Sequence, residues 1–219
     1  MRRLIGIGTG PGAPDLLTLR AIMAIEEADY IFAPSNRGKT MALDTVRPYL
    51  KDKEVILLDF PMMAVDQAAY DRAMATIEET LKEGQVGVYL NIGDSTIYSS
   101  FLNMVAQRDF EDLEIDLVPG IPSFVAAANI IGKNLIRKGE SFGVYDEVDE
   151  DTHFAQDNLA ILKTRSLDKT LDLLEDQGYD YDYLEYASLE KELHLRDREA
   201  ILERKNYMSL VLARKGENQ

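Results

Sequence analysis

The 219-residue chain contains no cysteine and two histidines, His153 and His194. The first absence removes disulfides, thiolate nucleophiles and cysteine-ligated metal sites together. Two histidines are too few for a histidine-built zinc site. No apolar run approaches the length needed to cross a bilayer, and Met1-Arg2-Arg3 leads directly into a patterned core segment without a small-residue cleavage site. These features point to the cytoplasm. Basic residues are also scarce relative to acidic ones, 24 against 39, for a formal net charge of −15. A phosphate backbone is recognised by clustered Lys and Arg that release counterions, so nucleic acid is not an expected partner. The acidity reads as solubility, or as life in high salt, with 111–114 and 146–151 as solvated acidic loops.

What is present is an alternation of short β-type runs with helical ones, the pattern of an α/β protein. Strands are predicted at 4–7, 30–33, 55–58, 86–92 and 115–118. A helix follows the third, capped by Asp66, running to Leu81 and stopped by Gly84, with Ala69, Ala73, Ile77 and Leu81 at helical spacing. Pro119-Gly120-Ile121-Pro122 then breaks the pattern, because two prolines about a glycine suit a rigid turn. The domain boundary is placed there, giving an N-terminal α/β domain over 1–120 and a C-terminal α/β domain over 121–219. In the second domain Ser123 is expected to cap a helix ending at Gly132, followed by strands at 142–145, 159–163, 181–187 and 208–213 and a helix at 167–176.

Two strand ends carry candidate chemistry. The run Gly6-Ile7-Gly8-Thr9-Gly10-Pro11-Gly12 leaves a strand and lets the backbone bend and approach a ligand. Its spacing is not that of a dinucleotide fingerprint: the sixth position is Pro11 counted from Gly6 and Ala13 counted from Gly8. Nor is it a phosphate loop. Gly38-Lys39-Thr40 resembles the end of one but lacks the preceding glycine. Pro14 and Thr18 would organise the start of the next helix. The second strand end is Gly93-Asp94-Ser95-Thr96-Ile97-Tyr98-Ser99-Ser100, where Asp94 either faces a polar ligand or caps the helix containing Phe101, Leu102 and Val105.

The order of these loops, glycine-rich turn, Gly-Asp loop and Pro-Gly-Ile-Pro-Ser, each after a predicted strand, resembles the tetrapyrrole (corrin/porphyrin) methylase family. Gly8-Thr9-Gly10-Pro11-Gly12-Ala13-Pro14-Asp15-Leu16-Leu17-Thr18-Leu19 matches its signature turn. The run from Gly93 to Phe101, and Tyr207-Met208-Ser209-Leu210-Val211-Leu212 near the end, look like those of the C20-methylating members of cobalamin synthesis. Two departures are Ser95, where the family usually has Pro, and Pro122, where it usually has Thr; the latter removes a hydroxyl contact to the cofactor.

The resemblance implies a two-domain α/β fold of class III methyltransferases, with S-adenosylmethionine as methyl donor in an interdomain cleft and a homodimeric assembly. It implies cofactor contacts from Thr9, Gly93, Asp94, Ile97, Pro122 and Ser123, and from Leu162 and Ala187 in the C-terminal domain. The substrate would be a carboxylate-rich tetrapyrrole, precorrin-2 or its cobalt complex, which an acidic protein must meet with local positive charge. Arg37 and Lys39 are first for that task, with Arg137 and Lys138 behind them and Tyr98 beside them as a substrate contact. In-line displacement on a sulfonium needs alignment and desolvation rather than a covalent nucleophile. A base is left open among Asp94, Tyr98 and water. The competing readings are methylation at another ring carbon, a diphthine synthase, a nucleotide-dependent oxidoreductase and a non-catalytic regulatory module.

Overall fold

Near-continuous apolar runs such as Leu4-Ile5-Gly6-Ile7 and Val88-Tyr89-Leu90 are what strands buried on both faces require, and both runs form the middle of a sheet. A computed structural model describes residues 1–36, 38, 40–60, 67–106 and 108–216. The chain divides into two compact units, Met1–Pro122 and Ser123–Gln219.

The first unit runs β1 (Arg2–Gly8), α1 (Leu19–Glu27), β2 (Tyr30–Ser35), α2 (Met41–Val46), β3 (Glu54–Asp59), α3 (Gln67–Thr80), β4 (Val86–Asn91), α4 (Ser100–Val105) and β5 (Leu113–Val118). All pairings are parallel, in the order β3-β2-β4-β1-β5. Alternation along β1 divides the side chains between two cores. Ile5 and Ile7 pack with Ala21 and Ile25 of α1 and with Leu43 and Val46 of α2. Leu4 packs with Met74 and Ile77 of α3 and with Phe101 and Met104 of α4. Gly6 shares the Leu4 face, where a Cβ would stand 2.5 Å from the Phe101 ring, so the helix approaches closely only because no side chain is there.

Three expectations for this unit need revision. The acidic run 111–114 is not all loop: Leu113 is buried and opens β5, and Glu114 continues it. The strand at Tyr30 extends through Pro34 to Ser35. Pairing with β4 stops at Phe32, so Pro34 has only β3 beside it, an edge-like setting that tolerates a missing N–H. Asp66 lies outside the described residues, and α3 begins at Gln67.

The second unit runs α5 (Ser123–Ile130), β6 (Phe142–Tyr145), β7 (Asn158–Ile161), α6 (Leu167–Asp176), β8 (Tyr179–Glu185), β9 (Leu193–Leu195), α7 (Arg198–Leu202) and β10 (Ser209–Lys215). Its sheet, β6-β7-β10-β8-β9, is mixed: β6 and β7 are parallel, and the other pairs are antiparallel. One face holds Leu159, Ile161, Tyr183 and Val211 against Leu171 and Leu174 of α6 and Ile201 of α7. Ser123 is the first helical residue of α5 rather than the cap before it. The strands at 159–163 and 181–187 stop earlier than expected, at Ile161 and Glu185, which puts Leu162 and Ala187 in the turns beyond them.

Candidate active site

In the first sheet β1 and β4 are neighbours, and the chain leaves them in opposite directions. From β1 it crosses by α1 on one face to β2; from β4 it crosses by α4 on the other face to β5. Adjacent strands with diverging connections leave a crevice beyond their carboxyl ends, the place where open α/β sheets bind ligands. The loops that follow β1 and β4 are the glycine-rich turn and the Gly-Asp loop.

These loops are locked together by backbone. Gly10 N donates to Gly93 O at 3.0 Å and Gly93 N to Gly10 O at 2.8 Å, both glycines holding positive φ, +75° and +68°. The turn after β5 joins them. A Cβ on Gly8 would lie 2.5 Å from Gly120 N and 2.6 Å from Gly93 O; one on Gly120 would lie 2.1 Å from Gly93 O. Three chain segments therefore approach at distances only glycine allows. A Cβ on Gly93, by contrast, would meet open space.

Side chains complete the lock. Thr9, fully buried, sends both its backbone N (2.7 Å) and its Oγ1 (2.9 Å) to the Asn91 carbonyl. Thr18 caps α1 through Ala21 N and donates its hydroxyl to Pro119 O at 3.4 Å. Asp94 Oδ2 accepts from Gly120 N at 2.9 Å, and its Oδ1 accepts from the backbone and hydroxyl of Thr96. Burial pushes the Asp94 carboxyl up, but the bonds from Thr96 and Gly120 outweigh that and hold it below the ordinary aspartate range. Such a carboxylate is a clamp between loops and a poor proton acceptor.

Asp94 does not cap α4. Ser99 does, its Oγ accepting from Phe101 N and Leu102 N. Ser99 Oγ also donates to Asn91 Oδ1 at 3.0 Å, while Asn91 Nδ2 donates to Ser95 Oγ at 3.0 Å. Asn91, Ser95 and Ser99 are all buried, so this network fixes the shape of the loop from beneath. Ser95 thereby does something a proline could not. Sequence reasoning missed Asn91 and the roles of Ser95, Ser99 and Gly120. The available signal was a lone polar Asn ending an apolar strand and a serine directly before Ser100-Phe101-Leu102. Ile97 is half-buried on the same loop, and Tyr98 is 57% exposed with φ +48°, an uncommon conformation for an aromatic residue.

Pro122 ends the first unit, and Ser123 opens α5 in the second. Within the second unit β7 and β8 both run antiparallel to β10, so Leu162 and Ala187 come to the same edge of that sheet, on either side of the start of β10. Leu162 N donates to Tyr145 O at 2.9 Å, and Tyr186 N to Met208 O at 2.8 Å. Ala187 stands between two residues of positive φ, Tyr186 (+51°) and Ser188 (+71°), and the buried Ser188 Oγ has no hydrogen-bond partner. Strain and an orphaned hydroxyl mark this turn as built for something besides its own stability. Arg37 and Lys39 lie outside the described residues. Arg137 and Lys138 are exposed on the segment after α5. Among the described residues no group of His, Asp and Glu could hold a metal ion, and His194 is engaged with Asp182 at 2.7 Å.

The family model for tetrapyrrole (corrin/porphyrin) methylases matches residues 3–201. The chain belongs to that family. Among members of known name, it is 26% identical to a probable cobalt-precorrin-2 C(20)-methyltransferase of Methanocaldococcus jannaschii, over 98% of this chain and 97% of the relative. It is 29% identical to the cobalt-precorrin-2 C(20)-methyltransferase of Salmonella typhimurium, over 74% and 72%. Among solved structures, a uroporphyrin-III C-methyltransferase from Thermus thermophilus superposes with a TM-score of 0.74 at 20% identity, covering 97% of this chain and 94% of that one. Another structure described as uroporphyrin-III C-methyltransferase from the same organism, complexed with S-adenosylhomocysteine, gives 0.66 at 19% identity, covering 96% of each chain. This tetrapyrrole methylase therefore shares its two-sheet α/β fold with methyltransferases along almost its whole length.

Proposed function

We propose that this tetrapyrrole methylase transfers the methyl group of S-adenosylmethionine to C20 of precorrin-2 or of its cobalt complex, a step in corrin synthesis. The observation that carries the reading is the set of three stapled loops at the switch point, in a chain that aligns end to end with a relative named for C20 methylation. The same reading places the protein in the cytoplasm as a homodimer.

The residues suit the cofactor. Open space over Gly93 leaves room for a ligand against the backbone, and the unpartnered Ser188 hydroxyl beside Ala187 offers a polar contact. Thr9, Gly93, Asp94, Ile97 and Pro122 in the first unit, and Ser123, Leu162 and Ala187 in the second, are the residues assigned to hold it. Thr9 and Asp94 serve by fixing backbone, since their side-chain polar atoms are already engaged. When bound, S-adenosylmethionine supplies a methyl group on a positively charged sulfur. The chain's own contribution is alignment and exclusion of water by loops that do not need to reorganise. Exposed Tyr98, held in a strained conformation, is assigned to the tetrapyrrole, with Arg37 and Lys39 for its carboxylates.

Incubation with methyl-labelled S-adenosylmethionine and precorrin-2 or its cobalt complex, without oxygen, tests the reading. Label should appear on the tetrapyrrole at C20. Label on a protein, on another ring carbon or on no tetrapyrrole would overturn it.

A further inference from the structure

The second unit contains a cavity of about 640 Å³ whose lining is strongly basic for so acidic a chain. Lys163, Arg165, Arg204 and Lys205 line it, against a single acid, Asp168, with Tyr207 at its wall. The volume is that of a small-molecule site. Its position is set by the sheet: Lys163 and Arg165 follow β7, and Arg204, Lys205 and Tyr207 precede β10. That is the edge at which Leu162 and Ala187 stand, and Met208, next to Tyr207, bonds the Tyr186 backbone.

The four cations are not equally committed. Arg204 is held by the buried Glu185 through Nε at 2.8 Å and a second nitrogen at 2.6 Å. Lys163 meets Asp146 at 2.7 Å and Arg165 meets Glu147 at 3.2 Å, both partly exposed pairs of the kind that water and salt weaken. Neither Asp146 nor Glu147 lines the cavity. Lys205 is exposed and makes no ion pair with any described residue. A chain with 15 excess negative charges gathers four positive ones around one concave surface and leaves them three charges short of neutrality within it. Such a surface attracts anions that the rest of the molecule repels.

We propose that this basin is a polycarboxylate subsite that receives carboxylate arms of the tetrapyrrole beside the cofactor edge of the second sheet. The assignment of the carboxylates to a tetrapyrrole rests on the function proposed above; the recognition of a multiply charged carboxylate rests on the basin alone. Lys205 and Arg165 are its adaptable contacts. Arg204 is fixed by Glu185 and lends its remaining guanidinium edge, and Tyr207 gives an aromatic surface for a flat ring.

Binding of uroporphyrin to the full-length protein, followed by quenching of porphyrin fluorescence, provides the test. The variants are Lys205→Ala, Arg165→Ala and the double substitution, all at exposed positions away from either core. The double variant should bind uroporphyrin about tenfold more weakly, each exposed charge being worth up to about fivefold. Its affinity should also fall less steeply with salt, while S-adenosylhomocysteine binding is retained. Coproporphyrin, with half the carboxylates, should lose less. A double variant within twofold of the wild type would overturn the proposal, and so would inorganic pyrophosphate binding as tightly as uroporphyrin with the same dependence on Lys205 and Arg165. The two readings fail separately. Methyl transfer to the tetrapyrrole with unchanged KM in the double variant would remove the subsite and leave the function. No transfer by a wild-type protein that still binds uroporphyrin through these residues would remove the function and leave the subsite.

Discussion

Glu185 is 1% exposed, yet it is ionised, because Arg204 grips both of its oxygens and Asn206 and Tyr183 donate to it as well. The Arg204 bond leads in holding its pKa at about 2, against an ordinary 4.5, and outweighs the burial that pushes the other way. The folded chain therefore takes up this proton later than the unfolded chain as pH falls. The stabilisation is complete above about pH 5 and is lost as pH drops toward 2. A shift of this size corresponds to about 3 kcal/mol. Replacing Arg204 with Ala leaves a buried carboxylate alone and should cost about 3–5 kcal/mol at neutral pH. Thermal melts at pH 7 and pH 3 check both statements: the gap between wild type and Arg204→Ala should narrow at the lower pH. An equal gap at both would show that Glu185 is not the titrating group.

At the scale of loops and elements, the three-way glycine contact separates two kinds of substitution. Gly120→Ala places a methyl group 2.1 Å from a carbonyl oxygen of a different loop, with backbone on every side and no flexible side chain to move. It should destabilise the protein by about 3 kcal/mol or more and abolish S-adenosylhomocysteine binding. Gly93→Ala meets open space and bears only the cost of positive φ, about 1–2 kcal/mol, so the fold should survive with weakened cofactor binding. Urea denaturation ranks the two, and equal losses would refute the close approach.

The same elements show what a linear reading can and cannot reach. The punctuation of β1, its glycine turn and α1 was readable because each feature is local: apolar run, glycines, Pro14 and the capping Thr18. Strand β6 and helix α6 were readable at their observed bounds for the same reason. Short α2, α7 and β9 escaped notice, since five or six residues carry too little periodicity and take their form from what they pack against. The order β3-β2-β4-β1-β5, and with it the meeting of Gly8, Gly93 and Gly120, depends on pairings between residues more than 80 positions apart. The motifs named the loops; only the topology shows that they share one crevice. Asn91 belongs to that remainder, because its partners Ser95, Ser99 and Thr9 become partners only when β1 and β4 lie side by side.

Over the whole molecule, charge acts on stability and on ligand binding with opposite signs. The 39 acidic residues outnumber the 24 basic ones, so 15 acids stay uncompensated even if every Lys and Arg is paired. Their mutual repulsion is long-ranged at about 10 mM salt, where the screening length is about 30 Å, and is largely suppressed at about 100 mM, where it is about 10 Å. Salt also weakens the surface ion pairs, such as Lys51–Glu26 and Arg47–Asp44, but exposed pairs are worth under about 1 kcal/mol each and their loss is the smaller effect. The melting temperature should therefore rise between about 10 and about 200 mM sodium chloride, by about 2–4 °C for each kcal/mol of repulsion removed. Over the same range uroporphyrin affinity should fall, because the basin formed by Lys163, Arg165, Arg204 and Lys205 attracts where the rest of the surface repels. A general effect of salt on folding would move both quantities together. Opposite slopes, with only the binding slope flattened in the Lys205→Ala/Arg165→Ala protein, would require one concave positive region on an otherwise negative molecule; a melting temperature that falls with salt would show that the ion pairs outweigh the net repulsion.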